Sequence, residues 1–428
     1  MSGPAEERPA AHETPRILRL AIRLAVVANL AIGTAYVALL AVLMATGRTR
    51  GSDFTAFYTG WRIVLEGNGS QLYDTAVQTQ VQRTILGGQT FEAGLNPFNN
   101  PPHMVLPFVP LGLLPLDVAF LVWTGIQALL LVWVVAMLLR GVAQQWTRLE
   151  RLGLVAAFVA FPPLAITFFQ GAFALVLVAT LVGTLAAMND GRDARAGGLL
   201  ALASVKPQGM FGVALAVLLS RRRAALAALV GWGLLLVVVA TAVLGPGIWA
   251  SYLGFLGTYT SSFDKLSVDP AVMWNLRGTL ALLLGRDNAT LVNSLAYVGF
   301  VLGLLAIAWL WRRGWPRSSA SGHVGGDTAL RIALTIVVTL LLSPHLNPHD
   351  DTLAAVAVVL AYGALRGTTG GRIVGAGAMI APAAILVVNG IAADAPTTLP
   401  IRFPTLLLVA LAAVIAASLR RNRSQVLA

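Results

Sequence analysis

Asp53 stands a few residues beyond the first apolar run and opens the aromatic stretch DFTAFYTGW. A carboxylate at a membrane surface beside Phe54, Phe57 and Tyr58 is partly desolvated, which suits a general base. The same place in the chain equally suits a helix N-cap from Ser52 or Asp53, and the two readings can coexist. Lys206, in SVKPQGMF, is one of two lysines (the other is Lys265) against 28 arginines, and it interrupts a long apolar run. An ammonium group there is expensive unless it meets an anion or water. The segment HLNPHDD, 345–351, offers His345, His349, Asp350 and Asp351. The i, i+4 histidines suggest a metal pair, but Pro348 between them argues against a regular helix. A polar cluster that donates hydrogen bonds to an anion is therefore preferred to a metal site. A solvated loop with Asn347 and Asp350 as turn and cap residues is the competing account. Further polar candidates are Asn100 and His103 in NNPPHMVLPF, Gln170 in FFQGAF, Gln208 in the lysine segment, and Asn275 and Arg277 in WNLRGTL.

The elements that must position these groups are membrane helices. The 428 residues are 57% hydrophobic and 11% charged, with a mean hydropathy of +0.77. A soluble domain carries about 25% charged residues. Apolar stretches of roughly 20 residues recur along the chain, the length a bilayer core requires, and in lipid such stretches must be helical to satisfy their own backbone. The absence of cysteine excludes disulfides and thiolate chemistry. The net charge of +12 does not indicate nucleic acid, because the arginines sit in short loops between apolar runs, where inner-leaflet anchoring accounts for them. The polar N-terminus shows no cleavable signal pattern, so the first apolar run is expected to be retained.

The first span is expected at 19–45. A polar, Gly-rich stretch, 47–102, follows. In it Phe54, Phe57, Trp61 and Val64, and then Val77, Val81 and Ile85, recur at helical spacing, which predicts short amphipathic helices on the membrane surface. An apolar run at 104–139 is broken at LLPLD. Further spans are expected near 152–169, 172–188, 196–219, 223–243, 290–311, 328–343, 352–365, 373–391 and 403–419. A second polar stretch occupies 245–289, and SSASGHVGGD, 318–327, reads as a flexible loop. The expectation is an all-α polytopic membrane protein of about a dozen helical membrane segments with an amphipathic first outer loop. It divides into a disordered cytoplasmic tail at 1–16, one transmembrane domain at 17–420 with outer loops 47–102, 245–289 and 343–351, and a cytoplasmic tail at 421–428.

Arginine clusters at 16–23, 140–151, 192–195, 221–223, 312–317, 366–372 and 420–423 all belong in the cytoplasm by the positive-inside rule. That is satisfied if 196–219, with arginines at both ends, enters the membrane and returns to the same side. Ser204–Gly209 is then the tip of a hairpin of two short helices, broken at Pro207. The alternative is one span whose lysine snorkels, which a lysine at the centre of a span does poorly. The same count places the polar stretches 47–102, 245–289 and 343–351 together on the outer side.

Read in order, these segments resemble glycosyltransferase family 87, polytopic membrane enzymes of the GT-C class. The resemblance rests on a span followed by DFTAFYTGWRIVLEGNGSQLYD, the Pro-Pro start PPHMVLPFVPLGLLP, the tryptophan-bearing VAFLVWTGIQ, FFQGAFALVL, a KPQ hairpin followed by RRR, and a late histidine-containing loop. It runs from about residue 50 to 360. It implies transfer of a hexose, mannose favoured, from a polyprenyl-phosphate donor to a lipid or glycan acceptor on the exoplasmic side of a bacterial plasma membrane, with both termini cytoplasmic. It places a catalytic aspartate in the first outer loop, at Asp53, and basic residues on the donor phosphate. Lys206 fits that role, with His345, His349 and Arg277 as further candidates; Tyr58, Asn100, His103, Gln170, Gln208 and Asp350 are the expected substrate-binding residues. A phosphate leaves as a weak base, so only the acceptor hydroxyl needs a base, and inversion by direct displacement requires one carboxylate and one cationic clamp. No metal or cofactor is expected, and the partners are the lipid-linked donor, the acceptor and membrane lipids. A transporter or flippase would also use buried charges and broken helices, but it should show internal symmetry, and the chain has none. A noncatalytic scaffold would leave Asp53 and Lys206 expendable.

Overall fold

Lipid offers the backbone no hydrogen-bonding partner, so the apolar runs close their bonds internally as helices. The computed structural model describes residues 16–91, 94–261, 269–316, 325–394 and 402–427, and every regular element in them is helical apart from one β-bridge between Phe91 and Gly94. In chain order the α-helices are α1 (Arg16–Ala45), α2 (Asp53–Leu65), α3 (Thr75–Ile85), α4 (Leu116–Gly141), α5 (Arg148–Val159), α6 (Pro162–Gln170), α7 (Ala174–Asn189), α8 (Asp193–Leu202) and α9 (Phe211–Leu219). They continue as α10 (Arg223–Leu244), α11 (Ile248–Ser261), α12 (Leu276–Leu284), α13 (Ala289–Trp311), α14 (Gly326–Leu342), α15 (Leu353–Leu365), α16 (Thr369–Asp394) and α17 (Phe403–Leu427). The protein is an all-α polytopic membrane protein. Among the described residues six helices, α1, α4, α10, α13, α16 and α17, are long and apolar enough to cross a bilayer, or seven if α5 and α6, bent by 46°, count as one span. This is fewer than the dozen apolar runs. The shorter α7, α14 and α15 fall below that length and are largely wrapped by protein.

Side-chain contacts show which ends of these helices meet. Arg222, just before α10, donates to the Met188 carbonyl at 3.0 Å, to Asp193 at 2.7 Å and to the Pro316 carbonyl at 2.9 Å. The start of α8 and the end of α9 therefore lie at the same end of the bundle, and the segment between them goes in and comes back. Its arms splay: α8 packs on α7 and α10, α9 on α13 and α14. The helix breaks at 203–210 into two short 3-10 turns around Lys206 and Pro207, as proline favours. Glu150, bonded to Arg366 and Tyr362, joins α5 to the end of α15. At the opposite end Arg50 pairs with Asp117 at the start of α4, and Arg402 donates to the Ala271 carbonyl. Asp53, Gln170, Lys206, Ser343 and His349 share that second end.

The polar stretch after α1 differs from its expected form. Helix α2 is not a surface helix: Phe54 through Trp61 and Ile63 are all buried. The chain from Asn96 to Leu113 folds over it, and Phe120 and Phe173 pack edge-on against Phe54 and Phe57. Helix α3 does keep an exposed polar face. Val77, Val81 and Ile85 are only half-buried, while Gln78 and Gln82 are buried. Gln78 accepts from the Phe98 amide at 2.8 Å and donates to the Leu72 carbonyl at 2.8 Å; Gln82 both donates to the Asn96 carbonyl and accepts from its amide. These two amides hold the extended backbone 96–98 as a neighbouring strand would, and buried polar backbone must find such partners. The expected N-terminal tail, apart from Arg16, and 318–324 of the expected loop lie outside the described residues. At the other terminus α17 continues as helix through Leu427.

Candidate active site

Gly171 fixes where the site can form. It ends α6 with φ +62, in the left-handed region that favours glycine, and a Cβ there would sit 2.8 Å from Cβ of Phe54. Trp123 Nε1 donates to the Gly171 carbonyl at 2.8 Å. The end of α6, with Gln170, is thus pressed against the start of α2, with Asp53. Asp53 is the first residue of α2, and neither it nor the N-cap Ser52 makes a side-chain cap bond; the carboxylate is not consumed by capping. Its place in the first turn suits a negative charge.

His349 joins the two halves of the site. Lys206 Nζ lies 3.1 Å from His349 Nε2 and 2.6 Å from Asp350 Oδ2. An ammonium group only donates, so Nε2 is the acceptor and the imidazole proton is on Nδ1. That Nδ1–H donates to Gln170 Oε1 at 2.8 Å, and Asp53 Oδ2 is 3.7 Å from the same nitrogen. Asp53 and Lys206, 153 positions apart in the chain, therefore approach the two nitrogens of one ring. The Lys206 side chain is 12% exposed, that of His349 4% and that of Asp350 0%, whereas Asp53 is 32% exposed. The Asp53 carboxylate is the most exposed of the four groups and the Lys206 ammonium is largely buried.

Asp350 is the anion that makes the buried lysine tolerable. Its Oδ2 also accepts from the Asn347 amide at 2.7 Å, which closes the 3-10 turn Pro348–Thr352; the turn-and-cap expectation for Asn347 and Asp350 is met in this form. Burial opposes ionisation of Asp350, but Lys206 and His349 outweigh it and hold the carboxyl below its ordinary range. Burial, with Asp350 beside it, pushes Asp351 well above that range. Burial also keeps His349 below its usual value, helped by Lys206 and opposed by Asp350 and Asp53. His345 is lowered to about 3, by burial first and then by Lys206 and Arg277. At neutral pH the cluster is an ammonium–carboxylate pair among neutral imidazoles.

Other expected residues shape this cluster without reaching its centre. Arg277 donates to the Pro344 carbonyl at 3.1 Å and to Asn293 at 3.0 Å, and so holds the histidine loop. Asn275 caps α12 and donates to the Ser343 carbonyl. Gln208 contributes its carbonyl, which accepts from Ser343 Oγ at 3.1 Å. Asn100 donates to the Val205 carbonyl at 3.2 Å, and His103 Nε2 lies 3.0 Å from Ser204 Oγ; both brace the hairpin tip from its other side. Tyr58 is buried in the core, with its hydroxyl on the Leu114 carbonyl, so it stands apart from the cluster. Sequence reading missed Thr352 and Thr167. Thr352 Oγ donates to the His349 carbonyl at 2.7 Å and lies 3.2 Å from Thr167 Oγ. The i, i+3 spacing of Thr167 and Gln170 puts both on one face of α6, a signal that was available.

The fold defines a polytopic membrane protein with a polar site gathered at one end of its helices. The model of glycosyltransferase family 87 matches residues 98–344, more than half of the chain, and the protein belongs to that family. It is a membrane glycosyltransferase, and the transporter and scaffold readings give way to this. Lys206 and Arg277 lie inside the matched region, Asp53 before it, and His345, His349 and Asp350 just after it. No curated protein and no solved structure matches the chain.

Proposed function

We propose that the protein transfers a hexose, with mannose favoured, from a polyprenyl-phosphate donor to a lipid or glycan acceptor on the exoplasmic face, with inversion at the anomeric carbon. The observation that carries this reading is the meeting of Asp53 and Lys206 on one imidazole, at 3.7 and 3.1 Å. Asp53 takes the proton of the acceptor hydroxyl as its oxygen bonds to the anomeric carbon. On the opposite face the bond to the phosphate oxygen breaks and its electron pair stays on polyprenyl phosphate. Charge grows on that phosphate, where preorganised donors act most strongly. Lys206 has three N–H groups, and two are directed at Asp350 and His349; the third is the natural donor to a phosphate oxygen, with Arg277 and His345 nearby. His349 carries its proton towards Gln170, which leaves both Asp53 oxygens available to the acceptor. A lipid-borne donor also explains a site built into a membrane protein.

The test is transfer from labelled polyprenyl-phosphate sugars by the protein in nanodiscs, with a membrane extract as acceptor. Wild type should form a product of inverted anomeric configuration. Asp53→Asn should lose turnover by about a hundredfold or more, the scale of a lost general base, while still binding the donor. Full turnover in Asp53→Asn would remove Asp53 from the chemistry.

A further inference from the structure

On the other face of the hairpin tip a second group of polar atoms lacks partners. Ser204 Oγ–H donates to the Ala201 carbonyl at 2.5 Å, which uses its only proton. Its contact with His103 Nε2 at 3.0 Å must then be an N–H of His103 donating to Ser204. That tautomer leaves His103 Nδ1 as a bare acceptor. The residue is 8% exposed, and among the described residues nothing donates to that nitrogen. Buried acceptors in folded proteins are almost always satisfied.

Helix α11 brings aromatic rings alongside His103. Trp249 lies nearly parallel to His103, with ring centres 6.3 Å apart, and meets Tyr252 edge-on at 6.4 Å. The Trp249 indole N–H is held by Thr241 at 2.9 Å, so the ring has a fixed setting. Tyr252 packs on Tyr73 at 5.0 Å. Tyr252 is half-buried, and its hydroxyl makes no hydrogen bond among the described residues. Tyr73 donates to the Asn100 carbonyl at 2.5 Å and Asn100 to Val205, so the wall is braced on the tip that carries Lys206. Burial holds His103 neutral, with its pKa lowered to about 4, and Tyr252 protonated, raised to about 12. The group therefore offers one fixed acceptor, one hydroxyl and aromatic faces, without charge.

We infer that His103, Trp249 and Tyr252 form a sugar subsite, in which the indole face packs on a pyranose ring, His103 Nδ1 accepts from one ring hydroxyl and the Tyr252 hydroxyl pairs with another. The assignment of the ligand to the transfer reaction rests on the function proposed above. An isoprenoid tail would suit the rings, but it would leave both polar groups unsatisfied, which a hydroxyl-bearing ring does not. Nδ1 is buried in the present arrangement, so entry of the ring needs the packing beside it to open, and α11 is the neighbouring element. Helix α11 is reached through Gly245 and Pro246, with Gly245 at φ +99.

The experiment is saturation-transfer NMR titration of methyl α-mannopyranoside against the full-length protein in nanodiscs, with cyclohexylmethanol as the apolar ring control. His103→Phe and Tyr252→Phe keep the rings and remove one polar partner each. Each should weaken binding of the glycoside roughly fivefold to tenfold, the worth of one hydrogen bond, with the thermal melt of Tyr252→Phe unchanged. Equal binding of cyclohexylmethanol, or unaltered glycoside affinity in both variants, overturns the subsite. In transfer assays a KM increase confined to the donor assigns the pocket to the donor sugar, and one confined to the acceptor assigns it to the acceptor. Glycoside binding by a wild-type protein that transfers nothing would leave the subsite standing and refute the proposed reaction.

Discussion

At the scale of single residues, the pairing of Lys206 with Asp350 decides what each substitution will do. Asp350→Asn leaves a buried ammonium without its anion and should cost about 3–5 kcal/mol of stability. The double variant Lys206→Met/Asp350→Leu removes both charges and should recover most of that loss without recovering turnover. Thermal melts in nanodiscs check the first statement and transfer assays the second; a double variant no more stable than Asp350→Asn alone would mean the pair is not the origin of the cost. Protonation gives a second prediction. His103 has a folded pKa of about 4 against about 6.5 unfolded. A depressed histidine pKa means the unfolded chain binds the extra proton, so stability is intact above pH ~6.5 and falls as pH drops towards 4. The loss at this residue is about 3 kcal/mol, and His103→Phe should flatten the melting-temperature slope in that window. What was legible at this scale was chemical type: a carboxylate, a lysine and histidines that need partners when taken out of water. Which partner each found was not legible. Lys206 finds Asp350 because two groups 144 positions apart become neighbours through the packing of the fold, which no local pattern announces.

At the scale of elements, the hairpin that carries Lys206 was readable from arginines at both of its ends, since charge placement across a bilayer leaves few options. The burial of α2 was not readable. Its helical periodicity describes a face, and the same face serves on a membrane surface or beneath a covering loop; the glutamines of α3 that hold that loop carry no hydrophobic signal at all. Close packing of α8 on α10 sets the position of the hairpin. A Cβ at Gly197 would stand 2.0 Å from the Ala225 carbonyl, an atom of the backbone that cannot swing aside. Gly197→Ala should therefore push α8 away, lower stability by about 1–3 kcal/mol and cut turnover through displacement of Lys206. Gly231→Ala, where nothing lies within 4 Å, is the matched control and should leave both unchanged. Melting temperature and turnover measured side by side check this, and a harmless Gly197→Ala would show that α8 and α10 yield more than their contact implies.

At the scale of the whole molecule, the contacts divide the helix ends into two groups. One holds Asp53, Gln170, Lys206 and His349; the other holds Glu150 with Arg366 and Asp193 with Arg222. Arginine-rich segments cluster with the second group, so the positive-inside rule predicts that group in the cytoplasm and, as proposed above, the site on the exoplasmic face. The sequence contains no cysteine, which makes single introduced thiols clean reporters of side. Gln80, exposed on α3 beside the polar stretch after α1, and Gln145, exposed in the loop before α5, belong to opposite groups. A membrane-impermeant maleimide should label Gln80→Cys in intact cells and Gln145→Cys only after lysis. The reverse pattern would put the site in the cytoplasm, where soluble nucleotide sugars are at hand. A donor carrying its own lipid anchor would then no longer be needed to explain a catalytic site held among membrane helices.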